Sequence, residues 1–166
     1  RRFGNPLFYG DPARPELLRS AGAEHVKVFV IAIDDPVGSL TTVQVIRRLY
    51  PKAQVFARAR DRRHAWQLMD LGAHGLREML YSSLKLGEDV LVALGIPADI
   101  AHDHAQRFLA LDERLLEAQY RVHDDEDAVL QASTLARREL EQLFDADQGE
   151  GVLGGIAGRR KPRDSA

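Results

Sequence analysis

The chain has 166 residues, 45% hydrophobic and 29% charged, enough for one domain with a substantial core. Its net charge of -2 speaks against a nucleic-acid partner, which needs a basic surplus. The absence of cysteine excludes disulfides, thiol catalysis and cysteine-ligated zinc or iron–sulfur sites, and it fits a reducing compartment.

The predicted elements run as follows. "PLFYGD" (6–11) reads as a short strand ending at Gly10. "PELLRSAGA" (15–23) follows as a helix, with Pro15 in the first turn and Gly22 at the stop. "VKVFVIAIDD" (26–35) is almost continuously apolar, which suggests a parallel strand covered on both faces. Pro36 ends it. "GSLTTVQVIRRLYP" (38–51) places Val43, Ile46 and Tyr50 on one helical face. "QVFARARD" (54–61) is a third strand, and "HAWQLMDLGA" (64–73) a third helix closed by Gly72. Strands alternating with helices argue for a parallel, Rossmann-like sheet over residues 1–76.

The texture then changes to helices alone. "REMLYSSLKLGEDVLVALG" (77–95) carries Leu80, Leu84, Leu91 and Leu94 in a stripe. After Pro97, residues 98–122 place Ile100, His104, Phe108 and Leu111 on one face. Residues 125–144 align Val129, Ala132, Ala136, Leu140 and Leu143. A partner subunit and the chain's own sheet are both candidates for burying these stripes. Residues 146–166, glycine-rich and then basic, are expected to be disordered. The longest apolar run, "VFVIAI" (28–33), falls far short of the ~20 residues of a membrane span. The N-terminal "RRFGNPLFYG" has no signal-peptide h-region. The start, without methionine and in mid-pattern, is expected of a piece of a longer protein.

In parallel sheets, ligands bind beyond the carboxyl ends of the strands, where Asp11 and Asp34 fall. Either carboxylate can accept from ribose hydroxyls or an adenine amino group. Either can also cap a helix, and Asp11 suits the cap better. Arg58 and Arg60 alternate at a strand end and so share a face. Together they can hold a phosphate or carboxylate, or pair with carboxylates such as the adjacent Asp61. His102 and His104 lack the i,i+4 spacing of helical zinc motifs, and no metal site is expected. There is no G-x-S-x-G, Walker loop or G-x-G-x-x-G, and "GVLGGIAG" lies in the low-complexity tail. A fragment of an NAD-dependent oxidoreductase is a further alternative, but Tyr81 and Lys85, which have the spacing of a dehydrogenase pair, lie on the helix after the last strand. No catalytic set is otherwise visible, and the chain is not expected to be an enzyme.

"YGDPARPELLRSAGA", "AIDDP" and "ARARD", followed by "REMLYSSLKLGEDVLVALGI", "FLALDERLLEAQ" and "ARRELEQLF", resemble the regulatory RCK or KTN (TrkA-N-like) domains of potassium transport proteins. The likeness covers residues 2–145 and is closest to Kef-type glutathione-gated efflux systems, in the branch called KefB. It implies a partial Rossmann-like α/β domain at 1–76, lacking the first β-α-β and its glycine loop. A crossover-helix dimerisation extension follows at 77–145. The family implies AMP or NAD(H) in the intact domain, with little or no binding where the phosphate loop is missing. By position, Asp11, Asp34 and Arg58 would serve the nucleotide, and Arg77, Asp112 and Arg60 glutathione. The stretch before Arg77 is one residue shorter than usual in the family, and a second arginine beside the glycine loop is absent. The resemblance further implies a homodimer, an attached transmembrane potassium/proton antiporter, an ancillary flavodoxin-like subunit and the cytoplasmic face of a bacterial inner membrane. Glutathione would hold such a system closed and its S-conjugates open it. The equivalent nucleotide-sensing domain of a potassium uptake system or channel is the nearest rival.

Overall fold

The computed structural model describes residues 6–149, with side chains described as far as Leu140. The chain divides into two compact units, Arg1–Ser82 and Ser83–Ala166.

The first unit holds α1 (Pro15–Ser20), a 3-10 turn (Ala23–His25), β1 (Val28–Ile31), α2 (Pro36–Leu49), β2 (Gln54–Ala59), α3 (Arg62–Asp70) and β3 (His74–Arg77). The strands form one parallel sheet in the order β1-β2-β3. Val30 stands opposite Phe56, and Phe56 opposite His74. The start of α4 (Glu78–Ala93) follows β3 directly.

The local chemistry explains these boundaries. Asp35 caps α2 by accepting the amides of Val37 and Gly38 at 3.3 and 2.8 Å, and Pro36 occupies the first turn. Asp61 caps α3 through the His64 amide at 2.8 Å. α3 ends at Gly72, whose φ of 71° is left-handed. Its amide and that of Ala73 return to Met69 and Leu68 at 2.8 and 2.9 Å, as in a Schellman motif. Arg47 ties these ends together. Its guanidinium donates to the carbonyls of Leu71 (3.1 Å), Ala53 (2.8 Å) and Gly72.

The core lies between the sheet and α2 and α3. Val43, Ile46, Val55, Ala57, Ala65 and Leu68 are buried there. Alanines on β2 and Gly75 on β3 let the helices come close. A Cβ on Gly75 would stand 3.3 Å from the Ala65 Cα.

Three expectations need correction. Residues 6–9 form no strand: Leu7 and Tyr9 are 70% and 90% exposed, and among the described residues no strand supplies a ladder. The third strand is instead His74–Arg77, whose "HGLR" carries a single aliphatic side chain and so gives little apolar signal. β1 is covered on one face only. Val28 and Val30 remain 45% and 75% exposed because, among the described residues of this unit, α2 and α3 lie on the same side.

The second unit continues α4 and adds α5 (Ala98–Tyr120) and α6 (Glu126–Gly149). No residue of α4 is fully buried. Leu80, Leu84 and Leu91 are half-buried, but Leu94, expected in the same stripe, is exposed. α5 and α6 pack together through the second half of α5, where Leu111, Leu115 and Ala118 face Ala132 and Ala136; of the expected α5 stripe only Leu111 is among these residues. Gln119, buried at 4%, donates to Ser133 Oγ at 2.8 Å. α6 continues to Gly149, past the expected start of the tail at 146, whereas 150–166 and Leu143's side chain lie outside the described residues. Among the described residues no helix is long and apolar enough to cross a membrane.

Candidate functional site

A parallel sheet collects its loops at the carboxyl ends of its strands, and three charged side chains meet there. Arg58, on β2, alternates onto the face that α2 and α3 leave open. Its guanidinium is held at one side by Asp34, just beyond β1. At the other side it meets Glu78 Oε2 at 3.1 Å, immediately after β3. One arginine therefore spans the carboxyl edge of all three strands. The set carries one net negative charge. The Asp34 side chain is almost fully exposed (96%) and that of Arg58 only 30%. Ion pairs open to water are worth roughly 0–1 kcal/mol, so an anion or an ammonium can exchange into this set at small cost.

Beside it the open sheet face forms an apolar groove, lined by Val30, Phe56, His74 and Leu76 with Arg58 and Glu78 at its charged end. Phe56 and His74 stack at 4.8 Å with 20° between their planes. This groove presents flat apolar surface next to a charge set that accepts either sign.

The remaining expected site residues fall as follows. Asp34 and Arg58 are brought together. Arg58 pairs with Asp34 and Glu78 rather than with the adjacent Asp61, which caps α3. Of the two aspartates before Pro36, Asp35 is the cap, leaving Asp34 for the arginine. Asp11 caps no helix. Its Oδ1 accepts the Ala13 amide at 2.9 Å, and Arg14 lies 3.9 Å from its Oδ2. Arg60 stands past the end of β2, exposed, with its amide donated to the His64 ring at 3.2 Å. Arg77 ends β3 opposite Ala59, half-buried on the helix-covered side. Asp112 lies on α5 in the second unit and is 7% exposed.

Glu78 and His64 were not among the expected residues. Glu78 follows β3 directly, so recognising that strand would have exposed it as a carboxyl-end group. Burial holds the His64 pKa below its usual 6.5, although Asp61 and then Asp35 pull the other way.

A ribose or adenine needs acceptors beyond the sheet, and exposed Asp34 fits that need. A phosphate needs free amides, and the first-turn amides of α2 are already taken by Asp35. The described residues thus fit the sugar end of a nucleotide and offer no glycine-loop cradle.

Comparison with known proteins places both units. Residues 1–76 match the TrkA-N domain family, and residues 82–161 the family described as the potassium efflux system KefB C-terminal domain. Among solved structures, the chain is similar to the Kef C-terminal domain of Shewanella denitrificans in its AMP-bound form. The identity is 38% over 71% of this chain and 75% of that one, with a TM-score of 0.68.

Proposed function

From the premise that this chain belongs to the RCK/KTN-type regulatory domains of Kef-type potassium efflux systems, we propose that it senses small ligands and performs no bond chemistry. Glutathione keeps the attached potassium/proton antiporter closed. Glutathione S-conjugates of electrophiles open it. The observation that carries this reading is the match of residues 82–161 to the KefB C-terminal domain of potassium efflux systems, beside a sheet whose Arg58–Asp34–Glu78 set and apolar groove stand open to a nucleotide. Glutathione bears two carboxylates and an ammonium group, and its S-conjugates add apolar bulk. An arginine and an aspartate can serve the opposite charged ends of such molecules.

Arg77, Asp112 and Arg60 are the proposed glutathione contacts. Asp34, Arg58 and Asp11 are the proposed nucleotide contacts, with AMP, the ligand of the Shewanella relative, or NAD(H) as the occupant. An effector shifts the switch only through unequal affinity for its two states, typically by about 1–3 kcal/mol. The domain works as a homodimer through α4, whose exposed Met79, Leu86 and Val90 support an intermolecular contact. An ancillary flavodoxin-like subunit and the cytoplasmic face of the bacterial inner membrane complete the proposed setting.

Titration calorimetry on the intact domain with AMP, glutathione and a bulky S-conjugate tests the reading. Saturable binding of glutathione and the conjugate is expected. Arg77→Ala should weaken both by roughly ten- to a hundredfold, the worth of a hydrogen bond to a charged group. Binding of AMP without either thiol ligand would favour the nucleotide-sensing domain of an uptake system or channel. Hydride transfer to or from NAD(H) would favour the oxidoreductase fragment.

A further inference from the structure

His64 is the third residue of α3, and it is only 3% exposed. Its amide donates to the N-cap, Asp61 Oδ1, at 2.8 Å. Its ring Nδ1 faces the amide of Arg60 at 3.2 Å. A backbone amide only donates, so Nδ1 carries the lone pair and the proton of the neutral ring sits on Nε2. That Nε2 is buried and has no hydrogen-bond partner among the described residues. The arrangement resembles a capping box, in which the third residue's side chain reaches back to accept an upstream amide. The usual acceptor is glutamate or glutamine, which keeps its lone pairs across the neutral range. Imidazole loses the Nδ1 lone pair when it binds a proton.

We propose that His64 is a proton-operated latch on the β2–α3 corner: neutral, its Nδ1 holds the Arg60 amide and keeps the corner closed; protonated, it becomes a donor facing a donor and releases Arg60. This inference is independent of the proposed ligands. The corner also anchors β2 two residues beyond Arg58, so its release reaches the strand that carries the Asp34–Arg58–Glu78 set. Asp61 on the same corner and Asp35 at the start of α2 favour the imidazolium. Arg60, Arg62 and Arg63 flank it in sequence, and Arg77 ends the strand on the sheet face that α3 covers. Burial outweighs the two carboxylates, so the latch is closed at neutral pH and opens on acidification.

Ring-nitrogen NMR and amide hydrogen exchange between pH 5 and 7.5 test this. The wild type should show His64 as the Nε2–H tautomer at pH 7.5. Protection of the Arg60 amide, corrected for intrinsic chemistry, should fall by up to about tenfold for each pH unit as pH drops from the ordinary imidazole value of 6.5 towards the lowered folded pKa, and level off below it. In His64→Gln, whose amide oxygen can accept the same bond at any pH in the range, protection should not change with pH. A Nδ1–H tautomer in the wild type overturns the proposal, as does Arg60 protection independent of pH in the wild type, or the same pH dependence in the variant. Should His64→Gln fail to fold, the wild-type tautomer and exchange profile decide alone.

Discussion

The two faces of the sheet are built from alternate residues of the same strands, yet they are opposites. Val55, Ala57 and Ala59 point to α2 and α3 and are at most 3% exposed. Val28, Val30, Phe56 and Leu76 point the other way and are 42–75% exposed. Strand propensity does not separate them, since the exposed set is the more strand-like in composition. What separates them is the size of the side chains and what covers them. Small residues let helices close one face, while large apolar ones on the other line a groove ending in charges. One face holds the fold together, and the other remains for recognition.

Breaking the covered face should have the largest effect. Ile46→Ala removes a side chain with no exposure and should cost about 2–5 kcal/mol, read as a lower urea midpoint at unchanged slope. Leu76→Ala on the open face should cost less than about 1 kcal/mol. Equal losses would erase the contrast. Arg47→Met comes next, at about 2–3 kcal/mol, because it abandons the carbonyls of Leu71, Ala53 and Gly72. Arg47→Lys should not restore the loss, since an ammonium lacks the planar fork.

His64 adds a dependence on pH. Its folded pKa lies below its unfolded value of 6.5, so between the two the unfolded chain binds more protons. Its contribution is complete above pH 6.5 and is lost as pH falls through the folded pKa. Denaturation at pH 7.5 and at pH 5.5 should show a wild-type loss that His64→Gln reduces. The smallest stability change is expected at Arg58. Arg58→Met should shift unfolding by no more than about 1 kcal/mol, yet weaken AMP binding by the intact domain measurably, which would mark it as a ligand residue more than a structural one.

The covered face was legible in the sequence because its signals are local. Pro36, the Val43 and Ile46 spacing and Gly72 fix α2 and α3 without reference to distant parts. Strand identity was less legible because pairing is not local. "PLFYGD" has strand composition and no partner strand among the described residues, whereas "HGLR" has little and pairs with β2. That substitution also hid Glu78, although Asp34 and Arg58 were rightly placed at strand ends. The His64 bond was beyond reach, since it depends on where a buried ring meets one amide.

Potassium efflux from cells carrying the full-length system, challenged with a thiol-reactive electrophile, tests the central claim most directly. The account predicts efflux in the wild type that rises on the challenge, and loss of that response in Arg77→Ala at equal membrane abundance. Efflux unchanged by the challenge, or identical in wild type and variant, would contradict it.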